Sequence, residues 1–181
     1  MLLDLAVAVA EEASVDDVTM DAVAERAGVS RTLLYKHFAN RGELLAAMYR
    51  REAEHLHQRL ARRVAAATTL EAMFDALITG ALEAAGERGA IFAALRSAGG
   101  WTREVRHEQR ARDVATSRAF ASSAKREGLD AAKAGPATAM LLALVDSVVS
   151  QYRARPTNER AELLRDTYMT IVRSTISTLR G

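Results

Sequence analysis

Apolar residues recur every three or four positions along most of this sequence, which is the spacing of one face of an α-helix. The clearest case covers residues 70–85, in which Leu70, Phe74, Leu77 and Ile78 share a broad apolar face. No segment carries a convincing run of the strict alternation that is typical of a half-buried strand. The pattern therefore predicts an all-α protein of about nine helices.

Glycine and proline positions predict where several of these helices begin and end. Gly86 and Gly89 are expected to interrupt the helix described above, and a short helix follows them, ending at Gly99-Gly100. Gly135 and Pro136 are expected to open a later long helix, since proline is tolerated in a first turn, where its missing N–H would have no partner. The breaks separate three short N-terminal helices from a larger bundle of longer ones.

Residues 19–41 carry a dense set of local signals for two short helices joined by a tight turn. Thr19 and Ser30 have the hydroxyl side chains that cap helix N-termini, and Gly28 between them is a typical helix stop. Asn40 is placed to cap a third helix. The apolar residues have the spacing of a small core, formed by Val23, Ala24, Ala27, Val29, Leu34 and Phe38. These signals predict a helix-turn-helix in which the helix after Ser30 leaves one face free.

The free face of that second helix carries hydrogen-bond donors and methyl groups and no acidic residue. Such a helix can enter the major groove of DNA, where its first residues reach base edges. Arg31 can pair with guanine O6 and N7, while Thr32 and Leu33 offer methyl groups to thymine. The neighbouring polar and basic side chains are suited to phosphates. The predicted DNA-binding residues are Thr19, Ser30, Arg31, Thr32, Leu33, Tyr35, Lys36, His37 and Arg41.

The distribution of charge supports a local DNA-binding surface although the whole chain is close to neutral. The 181 residues have a formal net charge of +2, and residues 26–63 hold nine Lys or Arg against three acids. The first 25 residues hold seven acids and no base. A basic patch of this kind can meet phosphates whatever the total charge.

The remaining chemistry of the sequence predicts no enzyme, no metal site and no cofactor. Cysteine is absent, which excludes disulfides and thiolate zinc sites and favours the cytoplasm. His55 and His57 are two positions apart on a helix and do not share a face, so a solvated surface is expected there. Neither Gly-x-Ser-x-Gly nor His-Glu-x-x-His occurs, and no catalytic residue is proposed. The longest apolar stretch, residues 137–149, contains Asp146 and is too short for a membrane span.

The segment from Thr19 to Leu45 resembles the DNA-binding domain of the TetR family of transcriptional regulators. The resemblance is carried by Ala-Gly-Val-Ser at 27–30, Leu-Tyr-Lys-His-Phe at 34–38 and Arg-Gly-Glu-Leu-Leu at 41–45. It implies a two-domain all-α homodimer, with a helix-turn-helix domain at residues 1–46 and a domain for ligand binding and dimerisation at residues 47–181. Its partners would be double-stranded DNA, a small-molecule effector of unknown identity and a second copy of the chain.

The resemblance also implies a mechanism, in which a repressor bound to a palindromic operator as a homodimer is released by its ligand. The family often has a small residue and then threonine where this chain has Thr32 and Leu33. The operator sequence therefore cannot be carried over from the family.

Large and aromatic side chains are candidates either for the lining of a ligand cavity or for the core. Trp101 stands out because it is the single tryptophan and follows Gly99-Gly100, where a helix joint can gate a pocket. The candidate ligand-binding residues are Met73, Phe74, Phe92, Trp101, Phe120, Met140 and Tyr152.

The last two long helices are apolar over more area than the outer helices of a monomer should expose, which indicates a partner surface. Self-association about a twofold axis is the simplest solution. The predicted interface residues are Leu142, Val145, Val149, Leu164, Tyr168, Ile171, Val172, Thr175 and Leu179.

Three alternatives stay open at this point. Residues 19–38 can form an ordinary helical hairpin within a bundle. The chain can be a helical-bundle enzyme or a small-molecule carrier. It can also be a constitutive DNA-binding protein that has no effector.

Overall fold

A computed structural model describes residues 1–100 and 102–180, and all regular structure in those ranges is helical. The all-α prediction is confirmed, with eight α-helices in the described ranges where about nine were expected. A kink within Arg96–Gly100 follows the fifth helix. The helices are α1 (Leu2–Glu12), α2 (Met20–Ala27), α3 (Arg31–His37), α4 (Arg41–Ala65), α5 (Leu70–Leu95), α6 (Arg103–Arg126), α7 (Ala131–Ala154) and α8 (Asn158–Arg180).

The predicted break at Gly86 and Gly89 is wrong, because α5 continues through both residues to Leu95. Gly86 serves close packing instead, since a Cβ atom there would lie 2.9 Å from the hydroxyl of Tyr152. The chain turns at Gly99, whose φ of +99° is a conformation that other residues rarely adopt. The short helix expected at this point is thus the last part of α5, which explains the difference of one helix.

The predicted start at Gly135 and Pro136 is also wrong, because α7 begins at Ala131. Asp130 caps the helix by accepting a hydrogen bond from Ala132 N at 2.9 Å, and this bond lowers the pKa of the Asp130 carboxyl. Pro136 lies inside the helix, where it lacks the N–H that would bond to the carbonyl of Ala132. The cap at Asp130 followed by good helix formers was a sequence signal for the earlier start.

One compact unit of the chain consists of Met1–His55 together with Arg88–Gln109. The first segment supplies α1 to α3 and the start of α4, and the second supplies the end of α5 and the start of α6. The buried core of this unit includes Ala6, Val7, Val18, Val23, Ala24, Leu34, Leu44, Leu45, Met48, Leu95 and Val105. The N-terminal helices therefore share a core with residues that lie far downstream, and the predicted domain boundary after residue 46 stays a prediction.

An ion-pair cluster joins the two segments of this unit. Arg88 Nε lies 2.7 Å from a carboxylate oxygen of Glu52, and Arg88 Nη2 lies 2.9 Å from Glu11. The Glu52 side chain is only 7% exposed and that of Arg88 is 37% exposed. Because Arg88 Nε makes no well-aligned hydrogen bond among the described residues, its contact with Glu52 is mainly electrostatic. The cluster connects α1, α4 and α5 through one guanidinium.

The second compact unit consists of Leu56–Glu87 and Arg110–Gly181. Its core contains aromatic rings packed at an angle to one another, with the Phe74 centroid 4.6 Å from that of Phe120 and 6.3 Å from that of Tyr168. The hydroxyl of Tyr168 donates to the carbonyl of Leu141 at 3.0 Å, and burial raises the pKa of this phenol. Tyr168 therefore stays protonated as a buried donor that ties α8 to α7.

Candidate DNA-binding surface

Both ends of α2 are fixed by local hydrogen bonds. At its start, the hydroxyl of Thr19 accepts from Ala22 N at 3.1 Å. At its end, Gly28 N donates to Glu25 O and Val29 N donates to Ala24 O, which is the Schellman pattern of a helix C-terminus. This pattern requires a left-handed backbone at Gly28, whose φ is +62°. Glycine adopts it without strain because it has no Cβ atom. The stop predicted from Gly28 is confirmed, and it sets the direction in which the chain enters α3.

Helix α3 is capped at its start and anchored along its inner face. Ser30 accepts a hydrogen bond from Leu33 N at 3.2 Å, which fixes the first turn. Leu34 is completely buried with Val23 and Ala24 of α2 in the core of the first unit. The hydroxyl protons of Ser30 and Thr19 remain available, because in these caps both oxygens act as acceptors. The local architecture thus holds α3 rigidly without using its outer face.

The outer face of α3 is exposed along its whole length. The exposed side chains are Arg31, Thr32, Leu33, Tyr35, Lys36 and His37. Leu33 and Tyr35 belong to the few large apolar side chains that the described part of the chain leaves exposed. Six of the nine predicted DNA-binding residues therefore lie together on one solvent-facing surface. Its donors can bond to base edges and phosphates, and its apolar groups can contact the methyl group of thymine.

Arg31 makes an ion pair with α2. Its Nε lies 2.7 Å from Oδ1 of Asp21, and the two side chains are 70% and 55% exposed. Asp21 was not among the predicted DNA-binding residues. The feature that could have indicated Asp21 is the crossing of α2 and α3, which brings the first turns of the two helices together.

Arg41 is placed differently from the other predicted DNA contacts. Its Nε donates to the carbonyl of Val18 at 2.8 Å, and its Nη2 donates to the carbonyl of Val15 at 2.9 Å. The guanidinium thus satisfies carbonyls in the connection between α1 and α2, a structural task that the sequence did not indicate. Contact between Arg41 and a phosphate stays a prediction.

A second arginine fixes α2 to α1. Arg26 Nη1 donates to the Glu12 carboxylate at 2.6 Å, and a second, shorter bond joins the same two groups. The Arg26 guanidinium lowers the pKa of the Glu12 carboxyl through this hydrogen bond and, to a smaller extent, through its charge. Both groups are solvated, so the pair orients the helices more than it stabilises them.

The geometry of α1 to α4 agrees with the comparison of the sequence with family models. Residues 2–48 match the model described as bacterial regulatory proteins, tetR family. This N-terminal region is similar to the TetR family. The match begins at α1 and ends within α4, so it contains the whole helix-turn-helix and every residue predicted to contact DNA.

Solved structures extend the TetR resemblance to the fold of the whole chain. A putative transcriptional regulator from Pseudomonas aeruginosa PAO1 has a TM-score of 0.74 and 16% identity, covering 97% of this chain and 88% of that one. A TetR transcription regulator from Haloarcula marismortui has a TM-score of 0.70 and 20% identity, with 96% and 95% covered. FadR from Bacillus subtilis, solved in complex with stearoyl-CoA, has a TM-score of 0.65 and 15% identity, with 94% and 95% covered. No curated protein matches the sequence.

The candidate ligand-binding residues of the TetR-like fold do not form one group. Met73, Phe74, Phe120 and Tyr152 share the buried core of the second unit. Phe92 lies in the first unit, where it packs edge-on against Tyr49 with ring centroids 5.7 Å apart. Met140 is exposed on α7, and Trp101 lies outside the described residues. Their role in ligand binding stays a prediction.

The candidate dimer residues divide into core and surface. Leu164, Tyr168 and Val172 pack inside the core of the second unit, so little of their surface is left for a partner. Ile171 is exposed, and the other five, which are Leu142, Val145, Val149, Thr175 and Leu179, are partly buried. Sequence reasoning missed three exposed apolar residues on the same two helices, which are Met140, Leu144 and Leu163.

The sequence contains two Glu-x-x-His elements, Glu52 to His55 and Glu104 to His107, which is the spacing that metal sites in helical bundles use. Glu52 is paired with Arg88 instead. Across residues 1–100 and 102–180, no group of three or more His, Asp or Glu side chains is placed to hold a metal ion.

Proposed function

We propose that this protein is a cytoplasmic transcriptional repressor that binds a palindromic operator as a homodimer and is released by a small-molecule ligand. The observation that carries DNA binding is the exposed, acid-free outer face of α3, held by two side-chain caps, the Gly28 turn and the buried Leu34. Arg31 would read a guanine, and Lys36 would contact a phosphate. The match of residues 2–48 to the family model of bacterial regulatory proteins, tetR family, supports the same function.

Substitutions on α3 should separate base reading from phosphate contact. Arg31→Ala is expected to lose about 1–3 kcal/mol of the binding free energy that discriminates the base at one operator position, because a bidentate contact to guanine would be lost. Lys36→Ala should weaken binding to all sequences and reduce the slope of affinity against salt by about one, because one fewer counterion is released. Selection of bound sequences from random DNA, followed by titrations at several salt concentrations, measures both effects.

Lys125→Ala is the matched control for these variants, because it removes one exposed positive charge from α6, outside the family match. It should bind DNA like the parent protein. If Arg31→Ala and Lys36→Ala also bind like the parent, α3 is not the recognition helix. Arg41→Ala is unsuitable for this test, since the loss of its bonds to Val15 and Val18 would also change stability.

The homodimer is supported by the apolar surface of α7 and α8. The stretch Ala132–Ala154 of α7 is long and apolar enough to cross a membrane by length and composition, yet only 22% of its most apolar window is buried within the chain. Leu163 and Ile171 extend this exposed apolar surface onto α8. A second copy packed about a twofold axis would cover it and place two recognition helices one DNA turn apart, roughly 34–36 Å.

Leu163→Asp should convert the dimer into a monomer. A carboxylate in an apolar interface would lose its hydration without gaining a partner, so the dissociation constant of the dimer should rise at least about 100-fold. Sedimentation at micromolar concentration measures the change. Val114→Asp is the control, because Val114 is a comparably exposed apolar residue on α6, at 49% against 63% for Leu163. A parent protein that sediments as a monomer would contradict the homodimer.

Release by a ligand is supported by the shared fold alone, and one regulator with this fold, FadR from Bacillus subtilis, was solved with stearoyl-CoA. A ligand can release the repressor only if it binds the two states of the protein with different affinity. A thermal-shift panel of metabolites that includes acyl-CoA thioesters tests this. A compound that stabilises the protein and weakens operator binding supports regulation. If no compound does either, the constitutive DNA-binding alternative is favoured.

A further inference from the structure

Asp21 occupies an unexpected position for an acidic residue beside a DNA-binding surface. It lies in the first turn of α2, and its Oδ1 is 2.7 Å from Nε of Arg31 at the start of α3. We propose that Asp21 is a positioning residue, which orients the Arg31 guanidinium for guanine and so sets base specificity. This inference rests on the proposed function, because it requires α3 to be the recognition helix.

The contact engages one edge of the guanidinium and leaves the other available. A guanidinium has three nitrogens, and Nε of Arg31 faces Asp21. Within residues 1–100 and 102–180, Arg31 makes no other ion pair or hydrogen bond, and its side chain is 70% exposed. The two terminal Nη atoms are therefore presented to solvent as a pair. These two donors match the O6 and N7 acceptors that guanine presents in the major groove.

The backbone on both sides of the pair is fixed. Asp21 follows the Thr19 cap by two positions, and Arg31 follows the Ser30 cap by one. The Gly28 turn sets the angle between their helices. A free arginine side chain has many rotamers, and ordering it costs affinity when DNA binds. An anchor at Nε removes part of that cost before binding, and only for the orientation in which the Nη pair points outward.

A carboxylate at this position should otherwise weaken DNA binding, because it repels phosphates. As a first-turn acid, Asp21 also stabilises α2 through the helix dipole. Neither effect depends on the base pair that Arg31 meets. A role in positioning Arg31 predicts a change in base preference at one position, whereas repulsion or helix stability predicts a uniform change over all sequences.

The test is a double-mutant cycle between Asp21→Asn and Arg31→Ala, with binding measured to the selected operator and to operators altered at each base pair. Asp21→Asn should reduce discrimination at the Arg31 position by about two- to fivefold, the range expected for an exposed ion pair. Affinity for unrelated DNA should stay equal or increase, because a negative charge is removed. In the Arg31→Ala background, Asp21→Asn should change no base preference. Glu25→Gln on the same helix is the control, since Glu25 makes no side-chain ion pair with any described residue.

The outcomes separate this inference from the proposed function. If the parent protein enriches no sequence from random DNA, the proposed function fails and the role of Asp21 falls with it. If the parent enriches a sequence and Asp21→Asn keeps the full preference at every position, the positioning role alone is overturned. The role is also overturned if Asp21→Asn and Glu25→Gln change binding identically, or if the effect persists without Arg31. Circular dichroism melting of each variant verifies that the compared proteins are folded.

Discussion

The free energy of unfolding of the Phe74→Ala variant should be about 3–5 kcal/mol lower than that of the parent protein, because Phe74 is fully buried between Phe120 and Tyr168. The removed ring leaves a cavity that rigid neighbouring helices cannot fill, so the loss exceeds the transfer free energy of the ring alone. Urea denaturation followed by circular dichroism measures the change. The midpoint of thermal unfolding should fall by roughly 6–20 °C for a chain of this size.

Phe74→Leu is the control for this variant, because it keeps most of the apolar volume and should cost much less. The comparison also addresses the candidate role of Phe74 in ligand binding. A loss below about 1 kcal/mol for Phe74→Ala would contradict tight packing in this core, and would favour a side chain that lines a preformed cavity.

The Arg88→Ala variant should lose about 2–3 kcal/mol of stability. Its removal leaves the Glu52 carboxylate buried without its cation, and breaking a fully buried pair typically costs 3–5 kcal/mol. The expected loss is smaller here because solvent screens Arg88, which is 37% exposed. Replacing Glu52 as well, in an Arg88→Ala/Glu52→Gln variant, should recover part of the loss, since an amide costs less to bury than a charge.

Arg63→Ala is the matched control for Arg88→Ala. Arg63 Nη2 lies 2.7 Å from Glu83, but both side chains are about two-fifths exposed, so the variant should change stability by less than about 1 kcal/mol. Equal losses for Arg88→Ala and Arg63→Ala in urea denaturation would show that burial of Glu52 has no energetic consequence.

The helix-turn-helix was predictable from the sequence because its determinants are local. Thr19 and Ser30 act on amides three positions ahead, and Gly28 is required by the conformation of its own backbone. Leu34 is buried because the helical period points it inward. Each of these determinants lies within one or two turns of the residue it affects, so the linear sequence shows them.

The ion pairs of the first unit were not predictable, because they join residues distant in sequence. Nothing near Glu52 indicates that Arg88 will pair with it, and nothing near Arg41 indicates its bonds to the carbonyls of Val15 and Val18. Gly86 shows the same limit for secondary structure. A glycine can end a helix or admit a neighbouring ring, and the position of Tyr152 decides between the two.

The apolar helices α7 and α8 were predicted, but which of their residues lie exposed was predicted only in part. The apolar faces of α7 and α8 are wider than one core needs, and periodicity alone does not show which part the chain covers itself. Tyr168 and Val172 face inward, whereas Met140 and Leu163 face outward. The choice depends on the rotation of each helix about its own axis, which tertiary packing sets.

The first compact unit of this protein is encoded in two separate segments of the chain. Leu95 and Val105 complete a core that begins in α1, and Arg88 neutralises a carboxylate of α4, although the second segment is encoded well downstream of the first. A recombination event with a single crossover at residue 55 would join the first segment of one protein to the second segment of another. The two halves of the shared core would then come from different proteins and would not fit each other. Under the proposed function, operator preference is therefore transferred most easily by point changes on the outer face of α3, where no core residue has to change with them.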